Sequence, residues 1–174
     1  MNCDSCLKFN IWKKGYHPAT TTASFERFYR IGFDYIEFPK DRNDFKYCLT
    51  ILDYFSEFVI LKPMKDKSAD STAVALHETF SILGFPSEII SDSGREFTNQ
   101  VVHKLTSIFN IDHKRITPYY HQALGKVERK NGTIRSVMNK LTKGNFDYWS
   151  FLLISPCLLS TTSFILVSTI HLST

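Results

Sequence analysis

The hydrophobic pattern changes its period part-way along the chain, and this change constrains the fold more than any other sequence feature. Aromatic and β-branched residues dominate residues 28–38 and 45–64, with turns at 39–43 and near Ser56. This pattern predicts three consecutive strands, which we expect to be antiparallel. The following segment repeats its apolar residues every three or four positions, as an amphipathic helix does. It begins after Ser68, a good N-cap residue, and ends at Gly84.

Strands and helices then alternate. Residues 87–91 and 113–117 predict short strands, and residues 99–109 predict a helix between them, with Val101, Leu105 and Ile108 on its buried stripe. A third helix follows, with Val127, Asn131, Ile134, Met138 and Leu141 on one side. Three strands followed by helix, strand, helix, strand and helix predict a mixed α/β fold, in which helices cover both faces of one sheet.

Positive charge is concentrated near the C-terminal end. The net charge of the 174 residues is +4, yet residues 1–124 hold 15 Lys or Arg and 15 Asp or Glu. The excess therefore comes from six basic residues in 125–174, which are Lys126, Arg129, Lys130, Arg135, Lys140 and Lys143. Such a cluster attracts phosphates, although a solvated helix face has the same composition, so charge alone leaves both interpretations open.

Neither end of the chain predicts a secreted or membrane-spanning protein. The first ten residues lack the apolar core of a signal peptide, so we do not expect the four cysteines to form a disulfide framework. Residues 151–170 carry no charge, but Pro156 and seven Ser or Thr residues interrupt them. We expect a buried or irregular tail there, and we keep a membrane anchor as an alternative.

Three acidic residues stand at positions where carboxylates are unusual. Asp34 lies between aromatic residues inside a predicted strand, Asp92 ends another strand, and Glu128 lies near the start of the third helix. A carboxylate inside a strand needs a partner, because burial of an unpaired charge is costly. Divalent Mg²⁺ prefers carboxylate oxygens, so three converging acids would form a chemically sensible site.

Each acid also has an ordinary structural interpretation. Asp34 can pair with a neighbouring Lys or Arg, Asp92 can cap a turn, and Glu128 can lie on a solvated helix face. Taken singly, each residue is better explained in this way. The neighbouring residues change that balance.

Two segments resemble the motifs of integrases from retroviruses and long-terminal-repeat retrotransposons, the gypsy-like ones above all. Residues 91–97, SDSGREF, resemble the Asp-x-Gly-x-Glu-Phe motif, and residues 125–131, GKVERKN, resemble Gly-x-x-Glu-Arg-x-Asn. Thirty-five residues separate Asp92 from Glu128, the spacing typical of the family, and Asp34 matches its first acid. The resemblance covers residues 25–142.

The resemblance implies a fold, a reaction and partners. The fold would be α/β, a ribonuclease-H-like mixed five-stranded sheet flanked by helices. Asp34, Asp92 and Glu128 would be the catalytic residues and the ligands of Mg²⁺ or Mn²⁺, in a two-metal polynucleotidyl transferase. The substrates would be the DNA ends of the element and target DNA, bound by a homo-oligomer. A nuclear location is inferred from the reaction alone, and no membrane partner is expected.

The resemblance also indicates residues that approach DNA. These lie in the loop before Glu128 and in the helix that carries it: Tyr119, His121, Lys126, Arg129, Lys130 and Asn131. Cationic side chains would hold phosphates, and the aromatic ones would stack or donate hydrogen bonds. Packing within the loop explains the aromatic residues equally well.

The resemblance divides the chain into three parts. Residues 1–24 resemble the truncated end of a zinc-binding module with a linker, 25–145 the catalytic core, and 146–174 a C-terminal helix and tail. Cys3 and Cys6 match the zinc-binding cysteines, but two ligands do not complete a tetrahedral zinc site. Cys48 and Cys157 are expected to be small buried hydrophobes. We therefore also consider a fragment or a decayed copy of an element.

Two further functions compete with the integrase interpretation. An inactive integrase-derived remnant would bind nucleic acid without metal-dependent cleavage. A ribonuclease-H-like nuclease or transposase of another family would share the metal chemistry and differ in its substrates. The spacing of the two motifs argues against the second of these.

Overall fold

The computed structural model describes residues 26–92, 100–115, 125–153 and 165–167. Their ten elements follow in the order β1 (Arg30–Glu37), β2 (Tyr47–Asp53), β3 (Val59–Met64), α1 (Ala69–Leu83), β4 (Glu88–Ser91), α2 (Gln100–Ile108), β5 (Asp112–Arg115), α3 (Gly125–Thr142), α4 (Trp149–Leu152) and β6 (Ile165–Val167). The predicted change from strands to alternating helices and strands is confirmed.

All six strands form one mixed sheet, in the spatial order β5, β4, β1, β2, β3, β6. The first three strands are antiparallel to one another, as predicted. β4 pairs parallel with β1, and β5 pairs parallel with β4. The expected five-stranded mixed sheet flanked by helices is thus confirmed. β6 adds a sixth strand, parallel to β3, which the sequence did not predict.

The first helix has the predicted ends. Ser68 is its N-cap, and its side chain accepts a hydrogen bond from the Ser71 backbone N–H at 3.2 Å. Gly84 follows the last turn with φ 99°, and its N–H donates to the Phe80 carbonyl at 2.8 Å. A positive φ is easily adopted only by glycine, which explains why the helix stops there.

The second helix is rotated relative to its predicted orientation. Val102 and Leu105 are buried, whereas Ile108, which we placed on the buried stripe, is 65 % exposed. The side chain of Val101 lies outside the described part. The prediction is therefore right for Leu105 and wrong for Ile108, and it omitted Val102 from the buried face.

Two apolar layers cover the two faces of the sheet. Alternate residues of β1 contribute to them, because successive strand side chains point to opposite faces. One layer packs against α3 and α4 and includes Ile36, Cys48, Leu52, Val127, Ile134, Met138 and Trp149. The other packs against α1 and α2 and includes Ile31, Phe33, Ile51, Leu76, Phe80 and Leu105.

Burial raises the pKa of the Cys48 thiol, as expected for a buried, inert cysteine.

The short helix α4 belongs to the first of these layers. Trp149 is fully buried, and its ring lies 4.7 Å from that of Phe38 between centroids. Ser150 donates a hydrogen bond to the buried Asp41 carboxylate at 2.5 Å. Of the helices that the described residues form, none has both the length and the apolarity to cross a membrane.

Candidate active site

Asp34 lies in the middle of β1, on the face covered by α3, and its side chain is half-buried. The Tyr35 backbone N–H donates to Asp34 Oδ1 at 2.7 Å, and Asn131 Nδ2 donates to Asp34 Oδ2 at 2.9 Å. Within the described residues, no Lys or Arg forms an ion pair with Asp34. Its hydrogen-bond donors are neutral, so they orient the carboxylate without neutralising its charge.

The pKa of Asp34 is affected by the other two acids. Its pKa is raised above the ordinary value of 3.8, mainly by burial and further by the negative charges of Asp92 and Glu128. The hydrogen bonds from Tyr35 and Asn131 act in the opposite direction and do not cancel these effects. Asp92 and Glu128 therefore each lie near enough to Asp34 to disfavour its charged form.

The parallel pairing of β1 with β4 explains how Asp34 and Asp92 meet. Arg30 pairs with Glu88 and Gly32 with Ile90, so the same register continued by two residues brings Asp34 level with Asp92. Asp92 directly follows the last residue of β4 and is exposed. It thus stands at the carboxyl end of a parallel strand, where open α/β sheets place their sites.

Glu128 is exposed in the first turn of α3, and its position depends on how that helix packs. Val127 is fully buried against the sheet beside Gly32. A Cβ atom added to Gly32 would lie 2.7 Å from Val127 Cγ2 and 2.6 Å from Tyr54 Cε2. Only glycine permits this close approach, which sets the distance of α3 from β1.

A ready-made metal centre is not part of this arrangement. Over the described ranges, no three His, Cys, Asp or Glu side chains form a group that could hold one metal ion. The chemistry of the donors still fits a divalent cation, because carboxylate oxygens are hard ligands and the charges of Asp92 and Glu128 disfavour an unneutralised Asp34. A two-metal arrangement is therefore compatible with these residue types but is not shown by their positions.

Two basic residues of the same helix contact the turn between β2 and β3. Lys126 Nζ donates to the Tyr54 carbonyl at 3.2 Å and is 3.5 Å from Glu57 Oε1. Lys130 Nζ is 3.0 Å from Glu57 Oε2, and its side chain is only 19 % exposed. Arg129 is exposed. Lys126 and Lys130, which were predicted to contact DNA, thus form ion pairs with Glu57 in this structure.

Asn131 also has a different environment from the predicted one. It is 5 % exposed, and its side-chain amide donates a hydrogen bond to Asp34 inside the protein. Burial on the core side of α3 is the physical reason. The 3.6-residue period already placed Asn131 on the buried stripe, and that signal outweighs its polar character.

Sequence reasoning missed two residues at this site. Glu57 carries no motif and reaches the lysines only through the fold. Arg135 is exposed and lies seven residues after Glu128, so it shares that face of α3. Helical spacing alone could have identified Arg135, whereas Glu57 offered no sequence signal. The predicted residues Tyr119, His121, Cys3, Cys6 and Cys157 lie outside the described residues.

A family model described as the integrase core domain matches residues 26–121, which is more than half of the chain. The chain belongs to the integrase core domain family. The family match, the retroviral Pol relatives and the fold together identify a retroviral-type integrase core in the ribonuclease-H-like superfamily. The HTLV-2 integrase catalytic core domain in complex with magnesium, in its dimeric form, has a TM-score of 0.64 at 22 % identity, covering 79 % of this chain and 88 % of that one.

Curated relatives are more similar in sequence. KRAB-A domain-containing protein 2 of Homo sapiens is 36 % identical over 110 residues, which is 62 % of this chain and 22 % of the relative. The Pro-Pol polyprotein of simian foamy virus type 3 is 34 % identical over 155 residues, which is 87 % of this chain and 13 % of the relative. The chain therefore spans less than a quarter of the length of either protein.

Proposed function

We propose that this integrase core binds DNA and catalyses metal-dependent phosphodiester cleavage and strand transfer, as in DNA integration. The observation that carries the proposal is the register of β1 with β4, which brings Asp34 level with Asp92, together with the hydrogen bond from Asn131, in the helix of Glu128, to Asp34. Burial and the charges of Asp92 and Glu128 also raise the pKa of Asp34. Carboxylates arranged to repel one another gain most from a shared cation. The magnesium complex of the HTLV-2 core supports the same assignment.

In this proposal Asp34, Asp92 and Glu128 hold Mg²⁺ or Mn²⁺, and Asn131 orients Asp34. The bound ions would activate the attacking oxygen and stabilise charge on the leaving oxygen of the phosphodiester. The protein itself contributes placement, because β1, β4 and α3 each supply one acid from a packed element. Zinc at Cys3 and Cys6 has no support from the described residues and is not part of the proposal.

DNA would approach the exposed face of α3 that carries Glu128. Arg129 and Arg135 are exposed there or beside it and can reach phosphates. Tyr119 and His121 remain proposed DNA contacts from the preceding loop, and Lys126 and Lys130 would contribute where Glu57 releases them. Element ends and target DNA are the proposed substrates. We further propose a homo-oligomer on DNA and action in the nucleus.

The second candidate is an inactive nucleic-acid-binding remnant of an integrase. Two observations favour it. The described carboxylates do not form a ready metal-binding group. In addition, a similar sequence occurs in human KRAB-A domain-containing protein 2, which is named for a KRAB-A domain and not as a Pol polyprotein. The remnant would keep the fold and the basic surface but would not cleave DNA.

Disintegration of a branched DNA substrate with Mg²⁺ or Mn²⁺ separates the two candidates. The chain is compared with Asp92→Asn and Glu128→Gln, and Asp70→Asn serves as the matched control. Asp70 is an exposed acid in the first turn of α1, on the opposite face of the sheet. Activity that both site substitutions abolish and the control retains supports the enzyme. Absence of activity in a folded, DNA-binding chain overturns it in favour of the remnant.

A further inference from the structure

The turn between β2 and β3 is held rigidly by a buried aspartate. Asp53 is 1 % exposed, and its Oδ2 accepts from the Ser56 backbone N–H at 3.1 Å and from Ser56 Oγ at 2.5 Å. Its Oδ1 accepts from the backbone N–H of Phe55 at 3.3 Å. The backbone N–H groups of Phe55 and Ser56 are thus both bonded to one buried carboxylate, and Ser56 Oγ accepts in turn from the Phe58 N–H at 3.2 Å, so the turn is hydrogen-bonded on both sides of Glu57.

Glu57 itself adopts an unusual backbone conformation. Its φ is 57°, in the left-handed region that side chains other than glycine seldom adopt. A glycine would meet this backbone requirement with less strain. The glutamate side chain, however, ion-pairs with two lysines, at 3.5 Å from Lys126 and 3.0 Å from Lys130. The hydrogen bond from Lys130 is the main cause of a lowered Glu57 pKa, so the carboxylate is charged at neutral pH.

The two lysines lie on one flank of α3 and the proposed active-site residues lie on the other. Residues four apart share a helix face, as do residues three apart, and each residue advances by about 100°. Lys126 and Lys130 therefore form one flank, and Glu128 lies on the second. The buried stripe, which contains Val127 and Asn131, runs between them, and Asn131 lies on the side of the stripe toward Glu128. The helix is thus tied on one side to Glu57 and on the other to Asp34.

We propose that Glu57 is a positioning residue, which fixes the rotation of α3 about its own axis so that Glu128 and Asn131 face Asp34. The part that concerns metal rests on the proposed function. Glu57 touches neither DNA nor the reacting atoms in this role. It acts through two lysines at the start of the helix, where a small rotation displaces Glu128 most directly.

A competing role for the same contact is electrostatic. In that case Lys126 and Lys130 are a DNA phosphate site, and Glu57 merely covers them in the free protein. The two roles predict opposite results for the lysine. Replacing Lys130 by a neutral residue removes a positive charge, which by simple electrostatics strengthens binding of a cation nearby. Loss of helix position weakens that binding instead.

The test uses the full chain with Glu57→Gln and Lys130→Gln, and Glu37→Gln is the control. Glu37 forms an exposed ion pair with Lys46 at 2.9 Å, so its variant removes the same charge without contact to α3. Calorimetry measures Mn²⁺ affinity, and NMR measures the hydrogen exchange of the Asn131 side-chain amide. We expect both site variants to lose about tenfold in Mn²⁺ affinity, as is typical when a residue that orients the metal ligands is replaced. We also expect the Asn131 amide hydrogens to exchange faster in both. The control should match the original chain.

The outcomes distinguish failure of the proposed function from failure of the positioning role of Glu57. If the original chain binds no Mn²⁺, the proposed function is contradicted. The hydrogen exchange of the Asn131 amide then tests the positioning role by itself. If Lys130→Gln binds Mn²⁺ as well as or better than the original chain, or the amide stays protected in both variants, the positioning role is overturned. A fall in Tm with unchanged amide and metal behaviour also overturns it, because it shows only a stabilising ion pair.

Discussion

Asn131 donates a hydrogen bond from Nδ2 to Asp34 Oδ2 at 2.9 Å, and so connects the third helix directly to the first strand. The other side-chain atom, Asn131 Oδ1, is buried and has no hydrogen-bond partner among the described residues. The amide therefore serves Asp34 in a particular orientation, with its donor toward the carboxylate. Several consequences can be measured.

Replacement of Asn131 by aspartate places a second carboxylate against Asp34. We expect Asn131→Asp to lower the free energy of unfolding at pH 7 by about 1–3 kcal/mol, since it removes a donor and adds a like charge. The loss should shrink at about pH 5, where the pair can share a proton. Urea unfolding at both pH values checks this, and an equal loss at the two would contradict it.

The raised pKa of Asp34 predicts how stability changes with pH. A carboxyl with a higher pKa in the folded than in the unfolded protein binds its proton more tightly when folded, so its favourable contribution is lost as pH rises through the folded value above 3.8. Asp34→Asn cannot titrate. The stability of this variant relative to the original chain should therefore rise as pH increases from about 3 to about 7. Chemical unfolding across that range measures it, and a flat or falling difference would reject the shift.

Two glycines near the site should respond oppositely to alanine. Gly32→Ala forces a Cβ against Val127 and Tyr54, so we expect it to destabilise the protein by about 1–3 kcal/mol. Gly132 lies inside α3 with nothing within 4 Å of an added Cβ. Gly132→Ala should stabilise the helix by about 0.5–1 kcal/mol. Thermal unfolding of both variants gives the comparison, and a neutral Gly32→Ala would show that α3 is free to move away.

The ion pair of Arg30 with Glu88 joins the first residues of β1 and β4. Both residues are buried, and Glu88 also accepts from Lys114 at 2.6 Å. Burial would raise the Glu88 pKa, but the hydrogen bonds from Arg30 and Lys114 lower it overall. We expect Glu88→Gln to cost about 3 kcal/mol, because it leaves a buried guanidinium without its charge partner.

The lowered pKa of Glu88 also fixes the direction of its pH effect. The stability that this pair provides is present above the unfolded pKa of about 4.5 and is lost as pH falls through the lower folded value. The difference between the original chain and Glu88→Gln should therefore narrow in acid. Asp44→Asn, which removes an exposed pair with Lys40, is the control and should change stability little. Thermal unfolding at neutral and acid pH decides between these outcomes.

Local patterns predicted the parts of the fold that depend on local physics. Ser68 and Gly84 set the ends of α1 through capping, and the apolar period of α3 placed Asn131 on its buried side. The association of Asp92 and Glu128 with Asp34 was implied by the resemblance to integrases and not by local physics. In contrast, the rotation of α2 depends on tertiary packing, and its short apolar pattern did not distinguish Val102 from Ile108. The contact of Glu57 with α3 joins distant segments, and sequence spacing carries no information about it.

The pairing of β6 with β3 has a consequence for self-association. Without Ile165–Val167, the backbone N–H and C=O groups of β3 from Val59 to Leu61 would form an open sheet edge. An open edge of apolar residues is a template for strands from other chains. At the opposite edge, β5 is short and carries the exposed charged residues Asp112 and Lys114, which discourage such pairing. The last strand thus moves this edge of the described sheet from β3 to β6, and an edge strand of only three residues offers few backbone groups to another chain.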